Sequence, residues 1–327
     1  MPPSPFPHGV SSYGMPVVGT GGLLTQGKNW FVNPSIGSDV NSGKDTLHPL
    51  ATLTKALSLA TANQNDTIYL LAGSNTAATT SDVQSATLTW NKDLVHLVGV
   101  CAPTAVSQRA RISQVLATAI SPMVDVTANG CMFRNVQIVQ ESSSASSLIN
   151  LRVTGTRNVF ENCHIAGIVN VTQSAAGSCS LKIDGGAENV FNHCVIGVDT
   201  IARDADATEI LFDTAATRNL FEDCFITSYI SAAGFASVTV ADSTGIDRWQ
   251  IFKNCLFTTD STNQATTQTQ VCSIPAIVQG KIVLMNSYYL TDGASGSGVW
   301  DNTGRGIIFN NSVAAAAAAA GGEMTKL

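Results

Sequence analysis

Asp184 and Asp213 are the two acids of this 327-residue chain whose placement could do chemistry. Each closes a short alternating piece, Leu181-Lys182-Ile183 or Ile210-Leu211-Phe212, and each fills the same slot of a repeat. Along the chain that slot reads Thr127, Thr154, Asp184, Asp213, Ala241. Carboxylates facing each other from adjacent repeats would stand near glycosidase spacing, about 5–9.5 Å. A simpler role competes. Thr and Asp at a strand-to-turn junction bond nearby amides and cap the turn. Turn capping is the expectation, with Asp184 and Asp213 held as the alternative catalytic pair. Nothing else gathers acids, histidine and aromatics as a sugar-cleaving groove would.

Other reactive side chains read as structural. Four of the eight cysteines, Cys163, Cys194, Cys224 and Cys255, share one repeat slot, which predicts a ladder of buried free thiols. Zinc lacks a Cys-x-x-Cys pair, and a disulfide framework is not expected in a chain of this size. His96 lies between Val95 and Leu97 on an alternating piece and should point outward. Asp39-x-Asn41-x-Gly43 mimics the start of a calcium loop without its twelfth-position glutamate. No cofactor and no metal is expected.

The elements that must position these residues are set by a recurring phrase. Its clearest copies run from Arg157 to Ile165, from Glu188 to Ile196 and from Arg218 to Ile226. Val136, Cys163, Cys194, Cys224, Cys255, Ser287 and Ser312 occupy equivalent slots, separated by 27, 31, 30, 31, 32 and 25 residues. A period in this range marks a solenoid. Phe three before the slot and Ile two after it should both point inward, yet their parity differs. A sharp turn must therefore lie between them, and the Asn, Asp or His just before the slot tolerates the left-handed backbone it needs. With the upstream pieces Ile149–Val153 and Val238–Val240, this gives three strands per coil. The fold class is all-β, a right-handed parallel β-helix.

Four regions follow. Residues 1–29 are an extended attachment arm, rich in proline and carrying Phe6, Val10, Tyr13, Met15, Val17 and Val18. Residues 30–75 hold a strand at Trp30-Phe31-Val32 and a capping helix whose apolar face is Leu50, Leu53, Leu57 and Ala60. The body spans 76–313, with variable inserts such as 166–180 and 258–273 read as surface decoration. An Ala-rich tail, 314–327, ends the chain as a packed cap or a frayed end. Net charge −6 argues against a nucleic-acid partner, and no apolar run reaches membrane-spanning length. The N-terminus lacks a signal-peptide layout.

The run FVNPSIGSDVNSG, then HPLATLTKALSLA and NDTIYLLAG, resembles the opening of the pectin-lyase-like β-helix superfamily. That superfamily includes lyases, hydrolases, phage tailspikes and non-enzymatic virion proteins, so the resemblance implies a fold rather than an activity. The arm PFPHGVSSYGMPVVG joined to such a body resembles structural proteins of tailed bacteriophages. Superfamily lyases carry calcium-binding carboxylates and a basic proton acceptor on one outward ladder. The matching column here is Asp125, Arg152, Lys182, Leu211, Thr239, too poor in oxygen ligands for calcium.

A second outward column reads Gln137, His164, Val195, Phe225, Leu256, Tyr288, Val313. Its apolar part, Val195, Phe225, Leu256 and Tyr288, is either covered by an insert or forms an oligomer interface, and a homotrimer is expected. The expected function is non-enzymatic: a capsid decoration (cement) protein of a tailed phage. Made in the host cytoplasm, it would bind the major capsid protein or another virion protein at the capsid surface. A tailspike-like receptor-binding protein or a polysaccharide-degrading enzyme is the alternative, and a carbohydrate-binding adhesin a third.

Overall fold

The computed structural model is a right-handed parallel β-helix with very little helix. It describes residues 11–12, 15–16, 27–72, 81–170, 175–261, 268–291, 299–301 and 307–310. Three sheets run along its length, every ladder in them parallel between successive coils. The first sheet has ten strands, from Asn29–Val32 through Met132–Arg134, Val159–Glu161, Val190–Asn192, Ala216–Glu222, Ile246–Lys253 and Lys281–Met285 to Ile307–Asn310. The second includes Gln137–Gln140, His164–Ile168, Val195–Ile196, Phe225–Ile230, Leu256–Ser261 and Tyr288–Thr291. The third includes Val124–Val126, Ile149–Val153, Cys179–Asp184, Thr208–Asp213 and Ala236–Val240.

The turn demanded by the parity argument joins the first sheet to the second. Asn135, Asn162, His193, Asp223, Asn254 and Asn286 all have φ between 48° and 55°. Because one residue turns left-handed, Phe and Ile both reach the lumen. Phe133, Phe160, Phe191, Phe221 and Phe252 stack with centroids 4.6–4.7 Å apart, and Ile138, Ile165, Ile196 and Ile226 pair in register. The slot between them holds Val136, Cys163, Cys194, Cys224, Cys255 and Ser287, all buried. The eight cysteines are free thiols. Burial pushes Cys131 up to about 11 and Cys179 up to about 12, and the dry lumen raises Cys194 and Cys255 as well.

At the opposite corner, between the third sheet and the first, buried amides form a second ladder. Asn158, Asn189, Asn219 and Gln250 each accept from the backbone amide of the coil above (2.8–3.4 Å). Their side-chain amides donate to Ala128, Gly155, Gly186 and Ala216 carbonyls. Backbone groups left over at the corner thus find partners without water.

The N-terminal end is closed by the helix α1 (Leu53–Leu59), which buries Leu53, Ala56 and Leu57, with Leu50 and Ala60 beside them. Thr52 caps it by accepting from Lys55 N. The Asp39 carboxylate accepts from Ala51 N, Thr52 N and Thr52 Oγ1 at 2.9–3.0 Å. The calcium-like loop is thus used to start a helix. In the arm, Ser11–Ser12 pairs antiparallel with Met15–Pro16, and the rest of residues 1–26 lies outside the described residues. Proline removes a donor but still offers its carbonyl, which is enough for a two-residue ladder.

The inserts are more than decoration. Second-sheet strands extend past the lumen-lining residues, and Val139, Ala166 and Val198 form a small core outside it, with Val169 and Ile201 packed on it. Ala207, Ile230 and Phe235 form another.

Candidate functional site

The third sheet presents its outer face through alternate residues of each strand. Register places Arg152 opposite both Asp125 and Lys182, and Lys182 opposite Leu211. It also places Asp184 opposite Asp213 on adjacent coils, with strands spaced about 4.8 Å apart. The predicted column and the predicted slot, two residues apart on the same strands, merge here into one network. Arg152 grips Asp125 with two hydrogen bonds, 3.0 and 2.7 Å, and reaches Asp184 at 3.8 Å. Lys182 Nζ lies 3.5 Å from Asp184 and 2.8 Å from Asp213.

The five side chains alternate in sign over four consecutive coils; Asp125 is buried and the other four are partly covered. The hydrogen bond to Asp125 raises the pKa of Arg152, against the opposing effect of burial. For Lys182, burial pulls down, but the Asp213 hydrogen bond and the charges of Asp184 and Asp213 outweigh it, and its pKa rises. Lys182 is therefore a standing cation rather than a neutral base. Turn capping explains little of this arrangement. Asp213 does accept from Thr214 N at 2.8 Å, but Asp184 takes the Thr214 hydroxyl at 2.7 Å, and the cations make the remaining contacts. Beyond Lys182 the column becomes Leu211 and Thr239, where the charges stop.

Chemically, the row offers two neighbouring carboxylates with a cation bridging them. A carboxylate can attack a carbonyl or take a proton from water, and an adjacent cation can hold the oxyanion that forms. Glycoside cleavage instead needs one carboxyl that stays protonated, whereas every carboxylate in this row has a basic partner within 4.0 Å. Among the described residues, no three or more His, Cys, Asp or Glu are grouped to hold a metal ion.

Other expected positions fall out differently. His96 points away from the lumen yet is buried, with Nδ1 accepting from Met132 N and Nε2 facing Asn65 Oδ1. Burial lowers its pKa. On the second sheet, His164, Val195, Phe225, Leu256 and Tyr288 are in register, but the column is not uniformly open. Val195 is 3% exposed, so its own chain already covers it, whereas Phe225 and Leu256 are half-buried and Tyr288 is 39% exposed. Residues 101–110 help close the upper part: Ser107 N donates to His164 Nδ1, and Gln108 Nε2 donates to the Asn162 carbonyl. Phe6, Val10, Tyr13, Val17, Val18, Val313 and the Ala-rich tail lie outside the described residues, as does the Met15 side chain.

Sequence reading missed a buried ion pair. Arg203 and Glu209, both fully buried, meet at 3.2 Å outside the lumen, and Ser180 donates to Glu209. Close backbone approach makes room: a Cβ on Gly197 would lie 2.7 Å from the Glu209 carboxyl carbon. Arg203 belongs to an insert and Glu209 to a strand, so no periodicity links them.

No protein-family model and no curated protein matches the chain. Among solved structures it is similar to the pectin methylesterase from Aspergillus niger in deglycosylated form, at 14% identity over 89% of this chain and 91% of that one, with a TM-score of 0.55. A mutant pectin methylesterase in complex with a hexasaccharide aligns at 17% identity over 80% and 78%, TM-score 0.53. The pectin methylesterase from carrot aligns at 14% over 88% and 90%, TM-score 0.51. At these identities the likeness is one of fold alone, the right-handed parallel β-helix. It corrects the expectation that the chain is not an enzyme: the structures sharing its architecture over nearly their whole length are enzymes.

Proposed function

We propose that the chain is an enzyme acting on a polysaccharide at the outer face of the third sheet, with ester hydrolysis as the reaction. The unbroken row Asp125–Arg152–Asp184–Lys182–Asp213 carries this reading. In a chain with only 12% charged residues, five charged side chains converge on one strip. Asp213, tied to Lys182 and the more exposed of the facing pair, takes a proton from a water as the water oxygen bonds to the ester carbonyl carbon. Lys182 and Arg152 hold the negative charge that develops on the carbonyl oxygen. The ester C–O bond then breaks and the alcohol oxygen takes up that proton, so a methyl ester releases methanol and leaves the acid on the polymer, while an acetyl ester releases acetate and leaves the hydroxyl there. Arg152 and Lys182, held against the carboxylates, suit electrostatic stabilisation of a developing oxyanion. The fold shared with pectin methylesterases supports the same choice. A virion setting rested on the arm, and no observation on the described residues supports it.

Methanol or acetate release from esterified pectins and other acylated polysaccharides, measured beside new reducing ends and ultraviolet-absorbing unsaturated ends, tests the reading. Activity should appear as ester release, and Asp213→Asn or Asp184→Asn should lower it by about 100-fold or more. Release unaffected by both substitutions would remove the row from the chemistry.

A further inference from the structure

We infer that the outer face of the first sheet around Trp249 is a second carbohydrate site, which takes an acidic sugar unit of a polysaccharide chain. The choice of a sugar over another flat anion rests on the function proposed above; the site itself is on a different sheet from the charged row. One outward row of this face is aliphatic, with Met132, Val159, Val190, Leu220, Ile251 and Val283 in register, and the row beside it carries the ion pairs Arg134–Glu161 and Lys253–Glu222. Trp249 interrupts it. Trp249 is 38% exposed, whereas Trp30 and Trp90 are buried.

A β-bulge puts it there. Thr217 pairs with Asp247 and Asn219 with Gln250, so Arg218 alone opposes Arg248 and Trp249. Arg248 absorbs the extra residue at φ 62°. Toward the preceding coil Trp249 therefore has no register partner, while toward the next it pairs with Lys281. Ile251 pairs with Val283 two residues further on. These four outward side chains make a square about 5 Å by 7 Å at the backbone, the footprint of one pyranose ring. Arg248, Trp249, Ile251, Lys281 and Val283 line a shallow hollow of about 520 Å³.

The chemistry of the lining selects the occupant. An indole offers a flat apolar face with a polar edge, which suits the C–H face of a sugar. Two of the described lining residues, Arg248 and Lys281, are basic, and Asp247 lies 3.6 Å from Arg248 at the margin. A carboxylate on the ring would complement that charge, and a neutral sugar would gain only the stacking.

The test follows indole N–H resonances of the full chain, with Trp249 assigned from Trp249→Phe, during titration with a galacturonate hexasaccharide and with a neutral glucose hexasaccharide. A saturable shift of Trp249 with the acidic sugar, at least about tenfold weaker with the neutral one, is expected. Arg248→Gln combined with Lys281→Gln should weaken the acidic sugar's binding by about the same factor, with the melting curve unchanged. Asp213→Asn should abolish turnover and leave the Trp249 shift in place. No shift with the acidic sugar, or equal binding of the two, overturns the inference. So does a Trp249→Ala variant that sediments as a smaller species than a wild type showing no shift, because the face would then be a subunit contact. A Trp249 shift in a protein that releases no ester from any polysaccharide would retain this site and sink the proposed function alone.

Discussion

Single residues in this protein are assigned by what surrounds them, and Asp82 shows how far that can move a side chain from its ordinary behaviour. It lies buried beneath the start of α1, accepting from Leu53 N at 3.2 Å and from Gln84 Nε2. Burial pushes its carboxyl up to about 7, opposed by the Leu53 amide and assisted by the charge of Asp39. The folded state thus holds a proton that the unfolded chain releases near its ordinary value of 3.8. The contribution is fully present below that value and is lost as pH rises toward 7, on the order of 4 kcal/mol at most. Urea unfolding should therefore show a lower midpoint at pH 8 than at pH 5 from this group. Asp82→Asn, which cannot titrate, should flatten that difference; an unchanged pH dependence would exclude Asp82 as its source. Asp184 and Asp213 make the complementary point. Sequence placed them on adjacent coils, but their partners Arg152 and Lys182 sit in a different slot, and only the folded face joined the two.

At the level of elements, the corner turns and the inserts divide the work. The turns are legible because each needs a residue that tolerates positive φ, and Asn, Asp and His recur there at the repeat spacing. The inserts are not, because their contacts are made once. Arg203–Glu209 is the clearest case, with both side chains out of water and an Oγ from Ser180 shared with Glu209. Arg203→Met alone should destabilise by about 3–5 kcal/mol, because Glu209 would be left as an uncompensated buried charge. Arg203→Met with Glu209→Leu should recover most of that loss, since a buried pair replaced by apolar groups is often neutral. Denaturant midpoints of the three proteins decide it. A double variant as unstable as the single one would mean that the pair organises the insert by more than charge balance.

For the whole molecule, stability is distributed along a one-dimensional stack in which each coil is held by its neighbours. The phenylalanine ladder is the continuous part of that stack, five rings deep. Phe191 is sandwiched between Phe160 and Phe221, so truncation leaves a cavity that rigid coils above and below cannot close. Phe191→Ala should cost about 3–5 kcal/mol, read from urea unfolding. A loss below about 1 kcal/mol would show that the lumen repacks freely. The same stacking gives the first sheet two outward rows side by side, an aliphatic one and one that holds Arg134–Glu161 and Lys253–Glu222.

The amino-acid sequence by itself determined the coil: its period, its three strands, its inward Phe, Cys and Ile ladders, and the helix that closes its N-terminal end. All of these repeat, and repetition makes a weak local preference visible by adding it up coil after coil. What the tertiary structure decided is whatever happens once or depends on sideways neighbours. It covered Val195 and His96, turned an expected decoration into small secondary cores, and gathered Asp125, Arg152, Lys182, Asp184 and Asp213 into one row. The physical reason is that stacking converts residues about thirty apart in sequence into neighbours about 4.8 Å apart. Charges that look isolated along the chain then act within a few ångströms of one another, at distances where Coulomb interactions and hydrogen bonds are strong.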